Sequence, residues 1–185
     1  VVTPEVQKLA DEITKGIKKD IDKGIDQGID KEVDKKLATD PARDIKKEQA
    51  RAIYNWVTRN IRYVAIYLGD GGIIPHDANS IIRNRYGDCK DHVVLLESML
   101  LVVGIESSPA LINSERAYLL PQLPTSNVFD HVITYIPSMN LFLDSTTQFA
   151  PMGTLPSSDM NKPVVITATG QVMHTPADHP SNDFT

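Results

Sequence analysis

The sequence predicts an α+β domain in which helices come first and an antiparallel sheet follows. Two observations lead to this prediction. Apolar residues recur at helical spacing in the stretches 42–60 and 89–103, and short β-branched or aromatic runs follow the second stretch. Helices that precede a block of strands are typical of α+β domains. With 185 residues, the chain suits one domain, or one domain with an appendage.

The compact part of the chain begins with a helix over residues 42–60. The Asp-Pro pair at 40–41 is a helix start signal, with Asp as the N-cap and Pro at the first helical position. Residues 62–67 are β-branched and aromatic, which predicts a short strand. A short helix over 78–84 follows, capped by Asp77.

The next helix is the most informative element of the sequence. Asp88 and Asp91 form a D-x-x-D variant of the capping box, and Gly104 marks the C-terminal end. Nearly every residue in 93–103 is apolar, so the helix has no polar face to turn toward water. We therefore expect this helix to be buried in the domain.

Strand-like runs make up the second half of the domain. They lie at 110–113, 128–136, 141–144 and 164–167. The four residues between the second and third runs, 137–140, form a turn, so a hairpin should pair Ile136 with Leu141. The compact core is expected to span 41–167, with a C-terminal tail at 168–185.

The N-terminal segment, residues 1–40, differs in composition from the rest. Residues 1–50 hold 23 of the 43 charged residues. Apolar residues recur there every fourth position (Ile13, Ile17, Ile21, Ile25, Ile29, Val33, Leu37). Such a stripe winds around a helix instead of keeping to one face. It indicates either a solvated helical extension or a partner-binding helix, and we favour the extension.

Composition excludes several classes of function. The net charge of -5 and the pI near 5.5 argue against nucleic acid as a partner. No run of about 18 apolar residues exists, which argues against membrane insertion. A single cysteine rules out an intramolecular disulfide framework and a Cys-based zinc cage. The chain begins without Met, and we expect it to be part of a longer protein with flanking domains.

Cys89 is the first candidate for chemistry. It lies in the first turn of the buried helix, where unpaired N–H groups and the helix dipole favour a thiolate. The same N–H groups can support a developing oxyanion beside the sulfur. A buried, inert cysteine is the competing interpretation.

His131 and Asp144 decide between these interpretations. With an even-length turn at 137–140, the two residues project from the same face of the hairpin as diagonal neighbours. An Asp that holds one imidazole nitrogen leaves the other nitrogen free to take a proton from a thiol. The pattern predicts a Cys-His-Asp triad of Cys89, His131 and Asp144.

Three blocks of sequence resemble the catalytic blocks of the transglutaminase-like superfamily, which is papain-like in architecture, and in particular its bacterial branch. They are YGDCKDH at 86–92, FDHV at 129–132 and FLDST at 142–146. The resemblance runs from about residue 41 to residue 166. Two positions depart from the family pattern, where Asp130 replaces an Asn and Ser145 replaces a Pro.

The resemblance implies cysteine-dependent acyl transfer at a carboxamide or peptide bond. It gives Cys89 as nucleophile, His131 as base and Asp144 as the acid that orients it, on a protein or peptide substrate and with no cofactor. The oxyanion would be held by the Cys89 backbone, with Tyr63 as a weaker second donor. The bacterial branch also implies a periplasmic or secreted protein.

Three further possibilities remain open. The domain can be a catalytically silent or gated interaction module of a larger exported protein. Asp88, Cys89, Asp91 and His92 can form a metal cluster, although closed zinc sites need more N/S ligands, so we expect no metal. The loop 114–127 lies between two strands and is expected to overhang the site and select the acyl donor. His76, His174 and His179 are expected to be solvated in loops or in the tail.

Overall fold

The protein is an α+β domain, as the sequence predicts. A computed structural model describes residues 1–17, 41–65, 74–120 and 126–177. Within these residues lie four α-helices: α1 (Pro4–Thr14), α2 (Pro41–Asn60), α3 (Ala78–Asn84) and α4 (Cys89–Val102). The strands are β1 (Arg62–Tyr63), β2 (Tyr86–Gly87), β3 (Ser108–Ile112), β4 (His131–Ile136), β5 (Leu141–Leu143), β6 (Pro163–Ile166) and β7 (Gln171–His174).

The helix caps confirm the helix ends predicted from the sequence. The Asp77 side chain accepts a hydrogen bond from the Ser80 N–H and so caps α3. Asp88 and Asp91 form the complete capping box of α4. Gly104 follows α4 with a φ of +68°, the left-handed conformation that glycine adopts without strain.

Two sheets position the site. A short parallel pair joins β1 to β2, with Tyr63 beside Gly87. The main sheet is antiparallel, in the order β5-β4-β3-β6-β7. In the β4–β5 hairpin Ile136 pairs with Leu141, which confirms the predicted register.

Several strand limits differ from those predicted from the sequence. The first strand covers only Arg62 and Tyr63 of the expected 62–67, whose last two residues lie outside the described part. In the expected strand 128–136, a 3-10 turn (Ser126–Val128) comes first, and β4 begins at His131. Strand β7 lies within the expected C-terminal tail at 168–185, where pairing with β6 gives residues of little intrinsic strand pattern a hydrogen-bonded partner.

Helix α1 corrects the expectation of a solvated N-terminal extension. Val6 and Ala10 on its inner face are fully buried and belong to the main hydrophobic core. The helix packs against both α2 and α4, and Thr3 caps it. Residues 4–14 are therefore part of the domain. Of the repeating apolar stripe, the members from Ile21 onward lie outside the described residues.

The hydrophobic core has two parts, one on each face of the sheet. The larger part lies between the helices and the sheet and includes Ile53, Leu95 and Ile136. The smaller part includes Ile133 and other residues whose side chains point to the opposite face. Most of α4 is buried, as its apolar sequence predicts. Among the described helices, none has the length and hydrophobicity to span a bilayer.

Candidate active site

The capping box of α4 positions Cys89. The Asp88 carboxylate accepts hydrogen bonds from the N–H groups of Lys90 (3.1 Å) and Asp91 (3.3 Å). The Asp91 carboxylate in turn accepts from the Asp88 N–H at 3.2 Å. Cys89 therefore sits in a rigid first turn, with its side chain partly exposed.

The same capping box limits what the helix N-terminus can offer an oxyanion. Asp88 occupies the N–H groups of Lys90 and Asp91, and the His92 N–H donates to the Asp88 carbonyl. The Cys89 N–H is the first-turn donor that Asp88 does not take. The two carboxylates also offset the positive end of the helix dipole, so the helix terminus alone is a weaker support for a thiolate than its position suggests.

His131 lies against Asp144, with its Nε2 3.3 Å from Oδ2 of that residue. Cys89 is close enough to His131 to raise the pKa of the imidazole. The side chains of His131 and Asp144 are 11% and 4% exposed, so water screens the pair little. The structure thus pairs His131 with Asp144, and the triad with Cys89 stays a prediction.

His131 and Asp144 shift each other's pKa in opposite directions. Burial lowers the pKa of His131, but its hydrogen bonds with Asp144 and Cys89 and their charges outweigh burial and raise the pKa to about 10. Burial raises the pKa of Asp144, but the hydrogen bond with His131, the imidazolium charge and the bonds from Thr146 hold it below its ordinary value. An imidazolium–carboxylate pair is therefore the stable form at neutral pH.

Residues around Asp144 fix the direction of its carboxylate. The Thr146 N–H and Oγ1 donate to Oδ1 at 2.8 and 2.7 Å, and the Thr147 Oγ1 donates to Oδ2 at 3.3 Å. Tyr54 of α2, which is fully buried, donates its hydroxyl to the Asp144 carbonyl at 3.1 Å. Oδ2 is consequently turned toward His131.

An open cavity of about 280 Å³ borders the His131–Asp144 pair. His131, Asp144 and Tyr63 line it. The parallel β1–β2 pair places Tyr63 beside Gly87, two residues before Cys89. The Tyr63 ring meets the buried His92 ring edge-on at a centroid distance of 6.2 Å. Burial lowers the pKa of His92 despite the Ser145 backbone and nearby carboxylates, so its ring is neutral.

The loop that was expected to overhang the site lies at this cavity. Ser114 and Glu115 line it together with His131. Asp130 holds the loop, because its carboxylate accepts from the N–H groups of Ser114 (2.7 Å) and Glu115 (3.2 Å). The Asp that departs from the family pattern thus has a local role as a loop anchor. Residues 121–125 lie outside the described part.

Asp159 is a site residue that the sequence does not reveal. It ends a 3-10 turn (Ser157–Asp159), is 1% exposed, and lines the same cavity. Neither Asp159 nor Tyr54 stands in a motif that would have marked it, since each reaches the site only through tertiary contacts. The Pro-Ser-Ser-Asp run at 156–159 is the one local signal, and it predicts a turn, not a site.

Two sets of residues deserve comparison as metal ligands. Donor atoms of His131, Asp144 and Asp159 lie within 4.8 Å of one another, a spacing that a cation can bridge. A metal ion would have to displace the imidazolium proton, which the raised pKa of His131 makes unfavourable at neutral pH.

The second set is the cluster considered from the sequence, and three of its side chains have other partners. Asp88 caps α4, Asp91 accepts from the N–H and Nδ1 of His76, and His92 packs on Tyr63. His76 is therefore tied to Asp91 and only half exposed, and His174 is an exposed residue of β7. His179 lies outside the described residues.

Comparisons with known proteins agree with this fold. Residues 31–111 match the family model of the Transglutaminase-like superfamily, a segment that contains Cys89 and ends before His131. A crystal structure of a candidate protease from Parabacteroides distasonis is similar over 94% of this chain, with a TM-score of 0.55 and 16% sequence identity. This chain spans 31% of that protein. No curated protein matches the chain significantly. Together these similarities agree with a transglutaminase-like fold.

Proposed function

We propose that this chain, whose residues 31–111 match the family model of the Transglutaminase-like superfamily, catalyses cysteine-dependent acyl transfer at a carboxamide or peptide bond of a protein or peptide. One observation supports this most directly. His131 is hydrogen-bonded to the Asp144 carboxylate, and Cys89 is close enough to raise the pKa of the same imidazole. A thiol, a base and an orienting acid in series are the parts that nucleophilic catalysis requires.

The first half-reaction forms a thioester. The Cys89 thiolate attacks the carbonyl carbon, and the Cys89 N–H donates to the oxyanion that forms. The Tyr63 hydroxyl is the proposed second donor, since Tyr63 lines the cavity beside His131. As the C–N bond breaks, the His131 imidazolium gives its proton to the departing amine.

The second half-reaction releases the acyl group. Neutral His131 takes a proton from water or from an acceptor amine, which attacks the thioester carbon, and the Cys89 thiolate leaves. Asp144 holds Nε2 throughout, so that Nδ1 serves the reacting atoms. Hydrolysis and transamidation differ only in the acceptor that reaches the thioester.

The pH dependence of Cys89 alkylation tests the proposed pairing. Cys89 is the one cysteine in the sequence, so the increase in protein mass after iodoacetamide treatment reports on that side chain alone. A His131 imidazolium beside the sulfur raises the reactivity of Cys89 toward iodoacetamide. We expect wild type to be alkylated rapidly near pH 6 and His131→Ala to react there at least about tenfold more slowly. Identical profiles for the two proteins would refute the pairing.

The reaction itself is tested with a peptide library, by measuring ammonia release and peptide cleavage for wild type and Cys89→Ser. Turnover by wild type that Cys89→Ser lacks would support acyl transfer, and the product would distinguish transamidation from proteolysis.

A gated or silent interaction module is the second candidate function. The chain spans less than a third of the solved protein it resembles, so flanking domains can control access to the site. Under gating, alkylation would show the reactive thiolate while turnover would appear only in the full-length protein. A reactive thiolate without turnover in either form would favour the silent module.

A further inference from the structure

Asp159 is a buried acid that is fixed from two sides. Its Oδ1 accepts hydrogen bonds from the Ser114 Oγ (2.6 Å) and the Ser158 Oγ (3.1 Å). Its N–H donates to the Pro156 carbonyl at 2.9 Å, and its carbonyl accepts from the Thr175 hydroxyl. The carboxylate therefore has a defined position although it ends a short turn in a loop.

The other oxygen of Asp159 lacks a hydrogen bond. Oδ2 is buried and has no partner among the described residues. Donor atoms of Asp159, His131 and Asp144 lie within 4.8 Å of one another. A buried carboxylate without a full set of hydrogen bonds is costly unless a positive charge is close. The imidazolium of His131 supplies such a charge.

We propose that Asp159 is a positioning residue, a second carboxylate whose charge stabilises the His131 imidazolium and holds its ring in place. This inference rests on the catalytic role proposed for His131. Asp144 orients the ring through a hydrogen bond, whereas Asp159 acts through space. Two carboxylates around one imidazolium favour the thiolate–imidazolium form over the neutral pair.

The charge state of Asp159 fits this role. Burial raises its pKa, a bond from Ser114 lowers it, the charge of Asp144 raises it and the charge of His131 lowers it, with a net increase. His131 loses its proton only at alkaline pH. At that pH the Asp159 carboxyl group is ionised. Its influence should therefore be strongest at the alkaline end of the titration.

The surroundings provide a matched control. Among the described residues, the ionisable side chains around His131, besides Asp159, are Cys89 and neutral His92 on α4, Asp144 after β5, Tyr63 on β1, and Asp130 and Glu115 by the loop. Lys162 donates to the carbonyls of Asn113 and Arg116. Glu115 lines the cavity as Asp159 does but is exposed, so removing its charge should have little effect at His131.

The experiment compares Asp159→Asn with Glu115→Gln. The variant D159N keeps the acceptor for both serines and removes only the charge. The imidazolium pKa of His131 is measured from ¹H–¹⁵N correlation spectra, with His131→Ala assigning the signal among the five histidines. We expect D159N to lower this pKa by about one unit, a tenfold change, and E115Q by less than about 0.3 unit.

Two outcomes would overturn the inference: no shift in D159N, or an equal shift in E115Q. If D159N does not fold, the variants D159E and D159Q compare the same shapes with and without the charge, and only D159E should retain the wild-type titration. Failure of the proposed function would be recognised separately, because wild type and His131→Ala would then have identical alkylation profiles.

Discussion

Replacing Asp144 by Asn tests the orienting role of this residue. The change removes one charge and keeps the size of the side chain. Two unit charges 3.3 Å apart attract by about 5 kcal/mol at an effective dielectric constant of about 20. That energy corresponds to about 3–4 pKa units. It is comparable to the rise in the pKa of His131 from 6.5 to about 10, which burial opposes and to which Cys89 also contributes. In D144N the pKa of His131 should therefore fall toward its ordinary value.

The substitution should also change the tautomer of His131. The Thr146 N–H and Oγ1 both donate to Oδ1 of Asp144, so the amide oxygen of Asn is favoured at that position. The amide NH₂ then faces Nε2 of His131, which must become an acceptor. The ring proton moves to Nδ1, the nitrogen needed as the base toward Cys89. A loss of turnover of about 10³–10⁴-fold is expected from this wrong tautomer.

The assay is the rate of Cys89 alkylation between pH 5 and 9, followed by turnover once a substrate is known. D144N should lack the rapid alkylation at mildly acidic pH that we expect of wild type. Asp130→Asn is the control, because it removes a charge next to His131 from a carboxylate that binds backbone N–H groups instead. A D144N profile that matches wild type would refute the assignment of Asp144 as the orienting acid.

Three further predictions concern stability. The contribution of His131 to the free energy of unfolding is complete below its ordinary pKa of 6.5 and is lost as the pH rises through about 10. The contribution of Asp144 is lost as the pH falls below 3.8. Denaturant titrations should therefore show that the free energy of unfolding falls by about 3–5 kcal/mol more in wild type than in His131→Gln between pH 6 and 10. The same pH dependence of stability in the two proteins would contradict this. Tyr54→Phe should lower the free energy of unfolding by about 1 kcal/mol by removing its bond to the Asp144 carbonyl, and an unchanged denaturation midpoint would argue against it. Gly87→Ala would place a Cβ 2.5 Å from the Cβ of Asp91 and should destabilise the protein by about 1–3 kcal/mol, whereas wild-type thermal stability would show that the capping box can move.

The hairpin shows how a short stretch of sequence can define part of a site. The turn of four residues at 137–140 sets the pairing of Ile136 with Leu141, and the side-chain period of two then puts His131 and Asp144 on one face. Local sequence also defines helix α4, since Asp88, Asp91 and Gly104 mark its ends and its apolar residues require burial. These features depend on neighbours within a few positions along the chain.

Helix α1 and strand β7 show where local patterns fail. The charged segment around α1 resembles a solvated helix, yet Val6 and Ala10 complete the core because α2 and α4 lie against them. Strand β7 has mostly exposed side chains and exists because the edge of β6 offers hydrogen bonds. Such elements are stabilised by partners that are distant in sequence, which periodicity does not record.

The sequence by itself determined the fold class, the helix caps, the hairpin register and the three residues proposed for catalysis. Each of these follows from short-range backbone geometry and side-chain periodicity. The tertiary structure decided how the site is supported: Tyr54 beneath Asp144, Asp130 as the anchor of the loop, and Asp159 beside His131. These contacts join residues from separate elements that come together only when the core closes, because burial and hydrogen bonding act across space and not along the chain.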